Sequence, residues 1–228
     1  MNSDKHSARA IRGNAMIYIL IALGLLGALT VVLTRQNNQG GSGDLDADRT
    51  ELLASQIMTY TTTVKAAIDQ MTLIGTPVSA IDFDRPSDVN FDTAPYTKKL
   101  YHPEGGALSY SPPNPGIFVS GLSNPDAGWY VGRFNNVDWT PTTAQDVVLT
   151  AWGVNSQVCA LLNKKITGST TIPALSSARS RLVNVTYHST ANANFTPSDC
   201  AACEEKPSLC VSTDSGAVFV FYSVISAQ

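Results

Sequence analysis

Four cysteines are the residues of this sequence best suited to covalent chemistry, namely Cys159, Cys200, Cys203 and Cys210. An even number of cysteines in an oxidising compartment is typical of structural disulfides, and four cysteines allow three pairings. Cys159 falls on a predicted short helix. We therefore expect it to bond to a cysteine of the 200–210 loop and to attach that loop to the core, although the sequence does not select the partner.

Two other kinds of site use the Cys200-x2-Cys203 spacing. Together with Cys210 and His188 it offers the four ligands of a tetrahedral zinc site, but the sequence has no second CxxC pair. A thioredoxin-like dithiol needs a stabilised thiolate, and the acidic residues on both sides of this pair disfavour one. Structural disulfides are the preferred interpretation, and no metal is predicted.

The sequence does not predict an enzyme. Beyond the N-terminal tail the histidines are His102 and His188, and neither lies beside a nucleophile motif such as G-x-S-x-G. No cofactor-binding pattern is present, so we expect no cofactor. Trp129, Trp139 and Trp152, together with Tyr130, offer aromatic surface for stacking on a sugar, but such residues more often belong to a core.

An uncharged segment near the N-terminus predicts a membrane helix. Residues 15–34 carry no charge and span about 30 Å as a helix, the thickness of a bilayer's hydrocarbon core. Lys5, Arg9 and Arg12 precede it, which by the positive-inside rule makes residues 1–14 a cytoplasmic tail. The predicted protein is single-pass, with its C-terminal domain outside the cytoplasm.

The junction before this segment suggests a processing site. Arg12-Gly13 ahead of an apolar run resembles the leader of a type IV prepilin, which would be cut after Gly13 to leave Asn14 first. The pattern differs at Tyr18, where type IV pilins carry glutamate. A retained, uncleaved anchor is the preferred interpretation. A cleaved secretory signal is disfavoured, because the apolar run is longer than such signals have and ends without a small-residue cleavage site.

Composition limits the partners. Charged residues make up 14% of the chain and the net charge is −3, so no basic surface for nucleic acid is predicted. The predicted partners are the lipid bilayer, through residues 15–34, and like subunits or other envelope proteins.

The remainder of the chain predicts a flexible linker at 35–45 and one α+β domain at 46–228. Asp46 or Asp48 is the expected N-cap of a helix that runs to about Ile74. Apolar residues recur along it in steps of three and four, which favours packing on a sheet over packing on a neighbouring copy: Leu53, Ile57, Tyr60, Val64, Ile68 and Met71.

Alternating and apolar runs predict a mainly antiparallel sheet beside this amphipathic helix. The predicted strands are 116–120, 129–134, 146–152, 181–188 and 216–226, with a short cysteine-bearing helix at 155–165. The last strand is the most apolar, so we expect it at the centre of the sheet.

Several segments together carry a family resemblance: GNAMIYILIALGLLGALT, ELLASQIMTYTTTVKAAIDQM, YHPEGGALSY, VCALLNKK and VFVFYSVISAQ. In this order they resemble a group of uncharacterised single-pass envelope proteins of Alphaproteobacteria. The resemblance implies a bacterial inner-membrane protein with a periplasmic or extracellular domain. The layout of apolar helix, amphipathic helix and disulfide-containing sheet is also similar to pilins and pseudopilins, which is an analogy of fold.

Two functions follow as hypotheses. The first is a non-catalytic structural or assembly component of the bacterial envelope, pilin- or pseudopilin-like. The alternative is a membrane-tethered periplasmic domain that binds a glycan or an envelope protein. The flexible linker at 35–45 would let such a domain move relative to its membrane anchor.

Overall fold

A computed structural model describes four ranges of the chain: residues 42–112, 114–183, 194–213 and 215–227. The chain divides into two compact units, Met1–Asp48 and Arg49–Gln228. The predicted tail, membrane helix and processing site at Gly13 and Asn14 lie outside the described residues. Within the described ranges, no helix combines the length and apolar character needed to cross a membrane.

The first described element is the long helix α1, Ser42–Leu73. It begins inside the predicted linker, so Asp46 and Asp48 lie within the helix and the N-cap prediction is wrong. Gly75, with φ of 100°, follows its end and allows the chain to turn away. The predicted end at about Ile74 is therefore confirmed to within one residue.

The predicted apolar stripe of α1 packs on the sheet. Ile57, Val64, Ile68 and Met71 are fully buried in one core with residues of the strands, and Tyr60 packs against Trp129. Packing on the sheet is thus confirmed as the role of this stripe. Its burial is the main apolar contact between the helix and the domain.

The sheet has five strands in the order β1-β2-β5-β4-β3. Three neighbouring pairs are antiparallel and the β3–β4 pair is parallel, so the sheet is mixed. The strands are β1 Gly128–Asn135, β2 Asp146–Val154, β3 Ala174–Leu175, β4 Ser208–Thr213 and β5 Phe219–Ser226. The α+β class and the central position of β5 are confirmed.

Both faces of the sheet are covered, because side chains of β2 alternate between two cores. Leu149 belongs to the core under α1 and the short helix α2, Ser156–Thr167. Val148 belongs to the opposite core, with the helix α3, Ala178–Leu182, and the 195–203 segment. All nine residues of β2 are buried, as expected for a strand covered on both sides.

Two predicted strands are absent where the chain is described. Residues 116–120 form a loop with a single bridge from Phe118 to Val154. Arg181 and Leu182 lie in α3, because Leu182 turns into the core on the far face of the sheet; residues 184–188 lie outside the described ranges. The sequence also missed β4, which contains Cys210 and begins within the predicted polar loop.

Candidate functional site

The structure pairs the four cysteines into two disulfides. Cys159 of α2 bonds to Cys210 of β4, with 5.4 Å between their Cα atoms and a sequence separation of 51. Cys200 bonds to Cys203 across a single turn, with Cα atoms 5.3 Å apart. Because all four thiols are bonded, the described residues hold no cysteine ligand for the zinc alternative, and His188 lies outside them.

Asn163, which sequence reasoning missed, strengthens the attachment of Cys210. Its side-chain amide accepts from the Cys210 backbone N–H at 2.8 Å and donates to the Cys210 carbonyl at 2.7 Å. Asn163 is fully buried one helical turn after Cys159. A buried amide at that spacing is the signal that would have identified it.

A second cluster that the sequence did not reveal surrounds Lys99, whose side chain is only 2% exposed. Its ammonium lies 3.1 Å from Asp84 Oδ2 and 3.6 Å from Asp82 Oδ2, and it also donates to the Asn90 carbonyl. Three partners satisfy the three N–H donors of a charged lysine. This arrangement suits a permanent ion pair that holds the 82–99 loop, and not a reactive amine.

The aromatic residues do not form one sugar platform. Trp129 belongs to the core beneath α1, whereas Tyr130 and Trp152 belong to the core on the opposite face. Trp139 packs edge-on against Phe195, with ring centroids 4.8 Å apart. Trp129 is therefore separated from Tyr130 and Trp152 by the alternation of strand residues between faces, and Trp139 packs against the core that contains Tyr130 and Trp152.

His102 contributes to loop packing. Its ring stacks on Tyr96 at 4.6 Å between centroids, and its Nδ1 accepts the backbone N–H of Glu104 at 3.2 Å. Both interactions are local to the loop that also carries Lys99.

A concave surface with convergent polar groups is a groove beside α1, with a volume of about 510 Å³. One wall is the face of α1 from Leu52 to Thr63, and the other is formed around Ser111 and Asn114. We call this surface the α1 groove. Its volume lies within the range of small-ligand sites, and none of the described residues that line it is charged.

Two aromatic side chains in contact, tilted by 41° to each other, form the floor of the α1 groove. The rings of Tyr60 and Trp129 have centroids 4.6 Å apart, and Phe118 supports Trp129 edge-on at 5.2 Å. Trp129 is only 4% exposed, so the partly buried Tyr60 presents most of the aromatic surface. The floor is rigid because Trp129 belongs to β1.

Hydroxyl and amide groups form the rim. Asn114 donates its side-chain N–H to Gln56 Oε1 at 3.0 Å and accepts the Gly116 N–H at 2.8 Å. This fixes the Gln56 amide so that its nitrogen can donate into the groove. Ser55 and Thr59, one helical turn apart, line the same wall, and their hydroxyls form no hydrogen bond within the described chain.

The pKa of the Tyr60 hydroxyl makes the stability of the protein depend on alkaline pH. Burial raises the pKa of its hydroxyl to about 12, above the value of about 10 in an unfolded chain. Below about pH 10 the hydroxyl keeps its proton in both the folded and the unfolded protein. Above that pH the unfolded protein loses the proton first, so the free energy of unfolding falls as the pH rises towards about 12. We expect the wild type to lose about 2 kcal/mol more of its free energy of unfolding over this pH range than Tyr60→Phe does. Urea unfolding at several alkaline pH values measures it, and a variant with the wild-type pH dependence would contradict the assignment.

No known protein family, curated protein or solved structure matches this chain. The resemblance to alphaproteobacterial envelope proteins therefore stays a prediction.

Proposed function

We propose that this protein is a non-catalytic structural or assembly subunit of the bacterial cell envelope, pilin- or pseudopilin-like in layout. In this proposal, residues 15–34 anchor the chain in the inner membrane and the α+β domain lies on the periplasmic or extracellular side. The observation that carries the proposal is α1, a helix of 32 residues whose apolar stripe is built into the domain core. A domain assembled on such a helix is suited to lateral contacts along it.

The exposed part of α1 supports a contact role. Between Glu51 and Lys65 the helix carries no charge, whereas the solvent face of an ordinary surface helix is charged and polar. Met58 is 41% exposed on the flank opposite the α1 groove, with Thr62 one turn further on. An uncharged flank with an exposed methionine favours burial against another protein surface.

The disulfides support the location. The bond between Cys159 and Cys210 closes a separation of 51 residues, and such bonds persist in oxidising compartments outside the bacterial cytoplasm. This agrees with a domain exported across the inner membrane.

A cysteine at position 58 tests the lateral contact. In membranes treated with a mild oxidant, we expect Met58→Cys to give a disulfide-linked dimer on non-reducing gels, because it adds one free thiol to a chain whose four cysteines are already paired. The matched control is Lys98→Cys, also exposed but outside α1, which should stay monomeric.

Monomers with both variants would reject assembly through this flank and favour the tethered binding domain. Equal dimer yields with both would indicate random collision or disulfide exchange, and would equally contradict the proposal. The intact mass of the membrane-extracted protein tests processing: a chain starting at Asn14 supports the prepilin-type leader, and one starting at Met1 excludes it.

A further inference from the structure

The α1 groove combines an aromatic floor with a rim of unused hydroxyl groups, and lateral assembly through Met58 explains neither. We propose that the groove binds a neutral carbohydrate, with one sugar ring held against Tyr60 and its hydroxyls bonded to Ser55, Gln56 and Thr59. This inference goes beyond the proposed function and does not depend on it.

The floor provides the apolar half of the recognition. A pyranose ring has a face of C–H groups that packs on an aromatic side chain, and the partly exposed Tyr60 lines the groove. The ring centroid of Trp129 lies 4.6 Å from that of Tyr60, and Trp129 is itself fixed in β1. A platform held this way loses little conformational entropy when a ligand is placed on it.

The rim provides the polar half. Each hydroxyl of Ser55 and Thr59 can donate and accept a hydrogen bond, and neither is used within the described chain. Gln56 is oriented by Asn114, so its amide nitrogen remains to donate. Sugar hydroxyls also donate and accept, so a polyhydroxylated ligand matches this set of groups.

The charge of the groove favours a neutral occupant. No charged side chain lines it among the described residues, so a charged group placed there would lose hydration without gaining an ion pair. Arg49 reaches Gly116 at one end of the groove, which makes an anionic sugar the informative comparison. An extended peptide is less suited, because a helix forms one wall and has no strand edge for backbone pairing.

Binding can be measured by titration of the full-length protein with trisaccharides, followed by tryptophan fluorescence and saturation-transfer NMR. The detergent must lack a sugar headgroup. The probes are cellotriose, maltotriose, mannotriose and chitotriose, with trigalacturonate as the anionic comparison. We expect at least one neutral trisaccharide to bind saturably, with a Kd of about 0.1–1 mM, and more tightly than trigalacturonate.

The double variant Ser55→Ala/Thr59→Val tests the rim without removing a hydrogen bond from the fold. It should weaken binding about tenfold, because two hydrogen bonds to the ligand are lost. The matched control is Thr62→Val, on the same helix but outside the groove, which should bind as the wild type does.

Four results would overturn the proposal: no saturable binding of any neutral trisaccharide, preference for trigalacturonate, unchanged affinity in the double variant, or equal weakening in Thr62→Val. A fifth result would also overturn it. If the wild type binds no sugar, and if adding Ser55→Ala/Thr59→Val to Met58→Cys abolishes cross-linking, the groove would be assigned to a second copy of the chain. The Met58→Cys experiment reports on assembly separately, so failure here leaves that proposal intact.

Discussion

Replacement of Lys99 by methionine is expected to lower the free energy of unfolding by about 3–5 kcal/mol. The ammonium of Lys99 is buried between Asp84, at 3.1 Å, and Asp82, at 3.6 Å, and also satisfies the Asn90 carbonyl. Methionine keeps much of the side-chain volume but leaves the carboxylate of Asp84, whose residue is only 9% exposed, without its countercharge. The loss therefore reports the broken ion pair and not a cavity.

Chemical denaturation of the full chain measures this loss, with Lys98→Met as the matched control. Lys98 is the exposed neighbour, so its replacement should change stability by less than about 0.5 kcal/mol. The double variant Lys99→Met/Asp84→Leu should recover part of the deficit, because it removes both charges together. Similar, small effects of Lys99→Met and Lys98→Met would show that the buried ion pair does not form.

Removal of the disulfide between Cys159 and Cys210 is expected to cost about 4 kcal/mol, since it closes a long segment of the unfolded chain. The 51-residue separation sets this magnitude. Cys200 and Cys203 are three residues apart, and their disulfide constrains the unfolded chain much less, by about 2 kcal/mol in the same treatment.

The two double variants, Cys159→Ala/Cys210→Ala and Cys200→Ala/Cys203→Ala, form a matched pair for denaturant unfolding under oxidising conditions. Both remove two buried cysteines, so the difference between them isolates the effect of loop length. A larger loss in the Cys200/Cys203 variant would contradict the entropic account and indicate strong local packing around that turn.

The two proposals use different flanks of one helix. Met58 lies on the flank proposed for contact between subunits, whereas Ser55 and Thr59 line the α1 groove. Lateral contacts at one flank leave the groove on the other, so assembly and carbohydrate binding are compatible.

Local patterns determined the elements with strong periodicity. The steps of three and four along α1 predicted the buried face that includes Ile57 and Ile68, because one face of a helix must meet the core. The apolar run of β5 predicted a central strand, because a strand that is covered on both faces is apolar along its whole length. The strand predicted at 181–188 failed at its start, because Leu182 is buried by a helical turn on the far face of the sheet.

What the sequence alone determined is therefore the α+β class, the face of α1 that is buried, the central strand and the cysteines available for bonding. The tertiary structure decided that Cys159 meets Cys210, that Lys99 meets Asp84, and that Asn114 orients Gln56 at the groove. The physical reason is separation along the chain. Periodicity reports on neighbours within a few residues, whereas each of these contacts joins residues 15 to 58 positions apart that meet only when the fold closes.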